Sequence, residues 1–420
     1  MNESVFIKVV SFYQSKKKLA LIILSAIFWI TAIAYSIYLG DNLRFPDEIK
    51  YFHVYGQNIA TLNIYSADGI NPTAYTPPLY PLIIGFLIMV GSGIIGARLL
   101  NFLALFLILI VIYKFLDKQS YKYSPITSVF LIIGYPVLFY TAGTLYPQTI
   151  GSLFLLLAVY FYWEPLFSVK KIVLTGIFLG LAILTIPTFV FVLPFMIIFA
   201  FLLHKKILTK MVLLAGITIL TISPWVIRNY ITFDRFVLFS TNFGINFLLG
   251  NSPSTEPNIG VLASTGIEKI IIQADIQAFD EFQKNTFFTQ SALEFIKKDP
   301  RHYAFLYLKK VINYFNFRNV IATKSEGNSF RDILLLITYG FLSCVTLIRI
   351  FFLKKFHPSQ LELFLLILYV CSAAVSALVF TRIRFRLPFD YLLVIFASIA
   401  IDKFITHLVD KKKNNNASQH

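Results

Sequence analysis

The sequence predicts an all-α polytopic membrane protein, and three observations carry that prediction. Its 420 residues are 57% hydrophobic and 17% aromatic but only 14% charged, with a mean hydropathy of +0.73, far from the profile of a soluble domain. Apolar runs long enough for helices recur along most of the chain. The formal charge of +16 comes from Lys and Arg placed mainly in short connectors between those runs, where basic residues orient membrane spans. No basic face with interleaved aromatics remains for a nucleic acid. Cys344 and Cys371 fall inside apolar runs, where a thiol behaves as a small hydrophobe, and so say nothing of redox compartment.

The first run, 19–39, follows Lys16-Lys17-Lys18. Its Ala32-Ile33-Ala34 resembles a signal cleavage site, but about 21 apolar residues suit a full span better. It is read as an uncleaved first helix. Further runs cover 79–93, 97–116, 124–142, 146–163, 171–185, 187–203, 209–226, 331–352, 359–380 and 386–406. If 79–93 crossed, the connectors with Lys114, Lys118 and Lys122, Lys170-Lys171, Lys205-Lys206-Lys210 and Lys354-Lys355 would lie outside, against the positive-inside tendency. That run is also shorter than the roughly 20 residues a bilayer needs and ends in Gly91-Ser92-Gly93. It is therefore predicted to be a re-entrant or interfacial helix, leaving about ten transmembrane helices in the cell membrane with both termini cytoplasmic.

Three segments then face outside: a first loop at 40–96, a long loop at 227–330 and the turn Thr381–Arg386. The chain divides into an N-terminal transmembrane module (1–226) carrying the first loop, a small external loop domain (227–330), C-terminal transmembrane helices (331–410) and a polar tail (411–420). The first loop opens on Arg44-Phe45-Pro46-Asp47-Glu48. An amphipathic helix follows, with Ile49, Phe52, Gly56 and Ile59 on one face and Asp47, Tyr51 and Asn58 on another. Within the long loop, Ile267 to Phe295 and Tyr303 to Phe317 read as helices. The spans hold almost no ionisable groups, which lowers an ion- or proton-coupled transporter reading and raises one with a site at the outer membrane edge.

Asp47 reads either as a helix N-cap or as a positioned base. Glu48, about 100° round a helix from it, points elsewhere, and so the two cannot easily form the opposed carboxylate pair of a glycosidase. Arg382, Arg384 and Arg386 would share one side if their turn is extended and fan out if it is helical. Three arginines in an outer turn also run against the usual inside bias, although snorkelling at the interface is the common alternative. Arg228 and Arg98 stand at outer ends of spans as further phosphate or interface candidates. Tyr51, Tyr75 and Tyr80 could stack on sugar rings or simply belong to an aromatic belt. His53 stands alone, without the cluster a metal site needs.

The order Pro46-Asp47-Glu48, Pro77-Pro78-Leu79-Tyr80-Pro81, Pro224-Trp225 with Arg228-Asn229, Gly250-Asn251 and Arg384-Phe385-Arg386-Leu387-Pro388 resembles the GT-C glycosyltransferases. The likeness is to the branch of the protein O-mannosyltransferases and aminoarabinose transferases, and it spans most of the chain. It implies transfer of a sugar from a polyprenyl-phosphate carrier to a lipid, glycan or protein acceptor outside the cytoplasm, with inversion. On that reading Asp47 is the general base and Glu48 supports it. Arg384 and Arg386, with Arg382, Arg228 and Arg98, hold the donor phosphate, while Tyr51, Tyr75, Tyr80 and Asn251 meet the substrate. Some relatives bind a divalent metal through the first-loop Asp and an acidic residue before the proline-rich motif. Here that position is Tyr75-Thr76, so no metal ligands are assigned and a divalent cofactor stays open. Two other readings remain: a flippase or transporter of lipid-linked glycan, and a polysaccharide polymerase or ligase.

Overall fold

The computed structural model describes residues 3–163, 168–203, 207–257, 267–318, 329–354 and 357–417. The expectations for Lys205-Lys206 and Lys355, and for 258–266 and 319–328 of the long loop, lie outside the described residues. All described regular structure is helical; among the described residues the only strand-like pairing is an isolated bridge between Ser66 and Pro72.

Each apolar run becomes a helix, and proline and glycine decide where it breaks. Helix α1 (Glu3–Leu39) leads into a π-helical turn, Glu48–His53, that runs directly into α2 (Val54–Leu62). Helix α3 (Leu79–Met89) has 11 residues, about 16 Å of rise, too short to cross a bilayer. It ends where Gly91 and Gly93 take positive φ. Helix α4 (Gly93–Lys118) is long and apolar enough to span a membrane. The 124–142 run splits into α5 (Ser124–Ile133) and α6 (Pro136–Ala142), bent by 65°. Pro136 has no N–H to continue the ladder and disfavours helical backbone at Tyr135.

Helices α7 (Gln148–Tyr162) and α8 (Val169–Thr185) follow. The 187–203 run opens as a 3₁₀ turn at Pro187–Phe191 before α9 (Val192–Leu203), and α10 (Leu208–Phe233) continues through Pro224, past the expected end at 226. The 227–330 segment contains α11 (Phe243–Gly250), α12 (Glu268–Ile276), α13 (Glu281–Lys298) and α14 (Pro300–Tyr314). The single helix expected over 267–295 is thus two, separated where Ala278 has φ 51° and Asp280 starts α13 with a capping box to Gln283. Last come α15 (Ser329–Phe351), α16 (Gln360–Ser376) and α17 (Ile383–Ala417), the last extending through most of the predicted polar tail.

By length and composition five described helices can cross a membrane, six if the bent pair counts as one span. The about ten crossings expected therefore depend on shorter helices such as α7, α9 and α16. The central layer is α17, buried almost continuously from Leu387 to Ile399, packed against α5, α7, α15 and α16. Outer helices present bare apolar faces, as at Ile22, Ile30 and Ile37 of α1 and Ile219 and Leu220 of α10. Such faces suit lipid rather than water. A second small core joins α11, α12 and α13 to Phe380 and Phe385, and so holds the 243–298 helices against the lead-in to α17.

Candidate active site

The first loop is fixed by one buried carboxylate. Glu48 is 1% exposed; one oxygen accepts the backbone N–H groups of Arg44 (2.7 Å) and Phe45 (2.8 Å) and the other that of Leu145 (2.7 Å). It clamps the loop to the turn between α6 and α7. Asp47 occupies the N-cap position of the π turn but makes no side-chain cap bond. Instead its Oδ2 accepts from Arg384 Nη1 at 2.7 Å and from the Tyr146 hydroxyl at 3.4 Å. Arg384 also donates to that hydroxyl (2.9 Å) and stacks over the Tyr146 ring at 5.0 Å.

This cluster borders a cavity of about 500 Å³ between the first loop, α6, α7, α15 and the start of α17. Val137, Leu334, Leu335 and Leu387 supply apolar walls, and Arg44, Arg331, Arg382 and Arg384 supply four guanidinium groups. Gln148, Thr141 and Thr144 contribute polar groups. Such a combination can accommodate an apolar chain with an anionic head, because guanidinium pairs phosphate with directional, charge-assisted bonds.

The alternatives for the three arginines resolve as helix. Backbone from Ile383 onward is helical, so they fan out: Arg382 and Arg384 line the cavity, whereas Arg386 turns into the protein. Arg386 is fully buried, bonded to Asp390 (3.1 and 3.2 Å) and to the carbonyls of Tyr314 and Asn316, with its guanidinium 3.4 Å from the Tyr339 ring centroid. Asp390 also accepts from Tyr135 (2.8 Å) and Tyr369 (3.0 Å). Arg98 spends its guanidinium on the carbonyls of Gly143, Gly40 and Asn42. Arg228 donates to the Thr73 carbonyl (2.9 Å) and lies over Tyr65, Trp225 and Phe233. Neither Arg98 nor Arg228 lines the cavity.

Tyr51 and Tyr75 stack at 5.5 Å, and burial followed by the neighbouring Tyr51 pushes the Tyr75 phenol up. Tyr80 is buried, accepting from Asn101. Asn251 donates to the carbonyls of Phe247 and Leu378 and accepts from the buried Lys310 at 3.0 Å. It thereby anchors the turn leading to Arg382. A Cβ on the adjacent Gly250 would sit 1.9 Å from the Val379 carbonyl oxygen, so the Gly250-Asn251 pair serves close backbone packing rather than contact with the cavity.

Sequence reasoning missed Arg44, Arg331, Tyr146 and Gln148. For Tyr146 and Gln148 a signal was present: the same alternation of spans that groups 40–96 with 381–386 also puts the 143–147 turn on their side. Arg44 adjoins the motif already singled out, and Arg331 opens an apolar run. Among the described residues no group of three or more His, Cys, Asp or Glu could hold a metal ion.

Residues 75–227, from the proline-rich lead-in of α3 into α10, match the family model described as dolichyl-phosphate-mannose-protein mannosyltransferase. The match covers little more than a third of the chain. Two solved structures are similar to this chain, both of ArnT from Cupriavidus metallidurans. The one bound to undecaprenyl phosphate is 14% identical, with 90% of this chain and 78% of that chain covered at a TM-score of 0.46. The apo form is 14% identical, with 91% and 78% covered at a TM-score of 0.41. No curated protein matches the sequence.

Proposed function

We propose that the protein moves a sugar from a polyprenyl-phosphate-linked donor to an acceptor outside the cytoplasm, with inversion and with Asp47 as general base. One observation carries the reading: the Asp47 carboxylate is bonded to Arg384, which lines an apolar-walled cavity that also bears Arg44, Arg331 and Arg382. The family match, to enzymes described as using a polyprenyl-phosphate sugar, supports the donor class.

In the proposed step the acceptor oxygen attacks the anomeric carbon as the bond from that carbon to the phosphate oxygen breaks. Asp47 takes the acceptor proton through Oδ1, since Oδ2 is held by Arg384 and Tyr146. The arginines receive the charge that builds on the departing phosphate. A single displacement from the face opposite the phosphate inverts the anomeric centre. Among the described residues Glu48 accepts hydrogen bonds from backbone N–H groups and acts as a positioning residue.

The side of the membrane is argued from α17. Arg384 stands near one end, while 18 residues on, about 27 Å along the axis, Asp402 accepts the N–H groups of Tyr123 and Ser124 beside the connector that contains Lys118 and Lys122. Lysine-rich connectors favour the cytoplasm, which supports reading the cavity as lying at the opposite, outer end.

The test is release of undecaprenyl phosphate from its mannosyl, glucosyl and 4-aminoarabinosyl forms by protein in native-lipid membranes that supply acceptors. Asp47→Asn should slow release by roughly a hundredfold or more at equal protein level. Near-wild-type release would remove Asp47 as base, and carrier transport without any release would favour a flippase.

A further inference from the structure

We infer that Gln148 is the residue through which the cavity reads a hydroxyl or amino group on the sugar. This rests on the cavity being the donor site. Gln148 is the first residue of α7, 7% exposed, and lines the cavity beside Thr141, Thr144 and Leu387. Its buried Oε1 has no hydrogen-bond partner among the described residues.

The neighbouring hydroxyls do not supply one. Thr141 donates to the Val137 carbonyl (2.7 Å), Thr144 to the Thr141 carbonyl (2.6 Å), and Ser152 to the main-chain carbonyl of Gln148 itself (2.5 Å). Each has committed its single hydrogen to backbone, so the Gln148 amide oxygen is left unsatisfied beside them. Buried polar groups in folded proteins are nearly always bonded, and an orphan on a residue that lines a cavity marks a place for a ligand atom once the side chain turns toward it. The arginines already supply cationic donors for a phosphate, but an amide oxygen repels phosphate oxygen and accepts from O–H or N–H. That is the chemistry of a sugar substituent. Should the amide be rotated, its NH₂ would offer the complementary bond to the same hydroxyl.

The experiment compares binding of bare undecaprenyl phosphate with binding of its mannosyl, glucosyl and 4-aminoarabinosyl forms to the full-length protein in lipid nanodiscs. Wild type should bind at least one sugar-bearing form more tightly than the bare carrier. Gln148→Met, close in volume, should keep bare-carrier affinity and lose that gain, about tenfold for one buried hydrogen bond. Gln148→Glu, which keeps an oxygen at the position, should retain part of the gain. A gain that survives in Gln148→Met, an equal loss for bare and sugar-bearing carrier, or no gain for any of the three sugars overturns the inference. Failure of wild type to bind even bare undecaprenyl phosphate would instead overturn the donor-site reading beneath it.

Discussion

Arg384 and Asp47, 337 residues apart in sequence, are bonded to each other at 2.7 Å. The group assigned to the donor phosphate and the group assigned to the acceptor proton are thus one ion pair, with Tyr146 bridging them. A phosphate drawn to Arg384 competes with the carboxylate for the same guanidinium. Donor binding would therefore loosen the hold on Asp47 by the time the acceptor arrives.

The pair predicts opposite effects on carrier affinity. Arg384→Gln should weaken binding of undecaprenyl phosphate by about tenfold or more, the scale of a lost charge-assisted bond. Asp47→Asn, by removing the competing carboxylate, should bind it no more weakly than wild type. The side chains are 31% and 38% exposed, so the pair contributes at most about 1 kcal/mol to stability and both variants should melt close to wild type. Calorimetry and a thermal melt in nanodiscs check this; equal weakening in both variants would show that the two do not compete.

Glu48 predicts a different signature. Three backbone N–H groups converge on its carboxylate, and Glu48→Gln would turn an NH₂ toward at least one of them. We expect a loss of about 2–3 kcal/mol of stability and a fall in kcat of about tenfold as the loop bearing Asp47 shifts, with carrier affinity unchanged. An unchanged kcat at the lowered melting temperature would limit Glu48 to a purely structural role.

The sequence was most legible where chemistry is coarse. Each apolar run became a helix because burial in lipid or core enforces it, and Asp47 with Arg384 could be singled out as a carboxylate and an arginine stranded at apolar ends. What the sequence could not show is where each guanidinium turns. Arg384 and Arg386 look equivalent in Arg384-Phe385-Arg386, yet a helix sets them about 200° apart, and only the fold places Asp390, Tyr135 and Tyr369 behind the second. Asn251 and Gly250 likewise suited a sugar site in composition, but their partners, Lys310 and Val379, are more than 50 residues away in the chain. The bend before Pro136 was signalled by the proline; its consequence, a cavity wall formed by α6, was not.

Lys310 predicts a pH dependence. It lies outside the spans, fully buried, with Nζ donating to Asn251 Oδ1 at 3.0 Å, and burial pushes its ammonium down from 10.5 to about 7. Between those values the unfolded chain binds a proton that the folded chain does not, so stability rises with pH, with a slope approaching about 1.4 kcal/mol per unit. Below about pH 7 both states hold the proton and the penalty of a buried charge is complete. Lys310→Met should flatten the slope, making the variant more stable than wild type near pH 6.5. Near pH 9.5 it should be no more stable, because the bond to Asn251 is lost. Thermal melts across this range decide; parallel profiles would mean that Lys310 is solvated well enough to titrate normally.

The buried pair Arg386–Asp390 separates structural from substrate-binding arginine. Both side chains are fully buried, and each has further partners: carbonyls of Tyr314 and Asn316 for the cation, hydroxyls of Tyr135 and Tyr369 for the carboxylate. Arg386→Met strands Asp390 without its countercharge, a change that typically costs about 3–5 kcal/mol. The melting temperature should fall steeply, while the fraction still folded binds undecaprenyl phosphate with near-wild-type affinity. Replacing both, Arg386→Met with Asp390→Leu, leaves no lone charge and should recover much of the lost stability. This is the reverse of the Arg384→Gln pattern. An Arg386→Met protein that melts normally but no longer binds the carrier would put Arg386 back at the phosphate, and would require the 383–388 turn to open so that both arginines face one side.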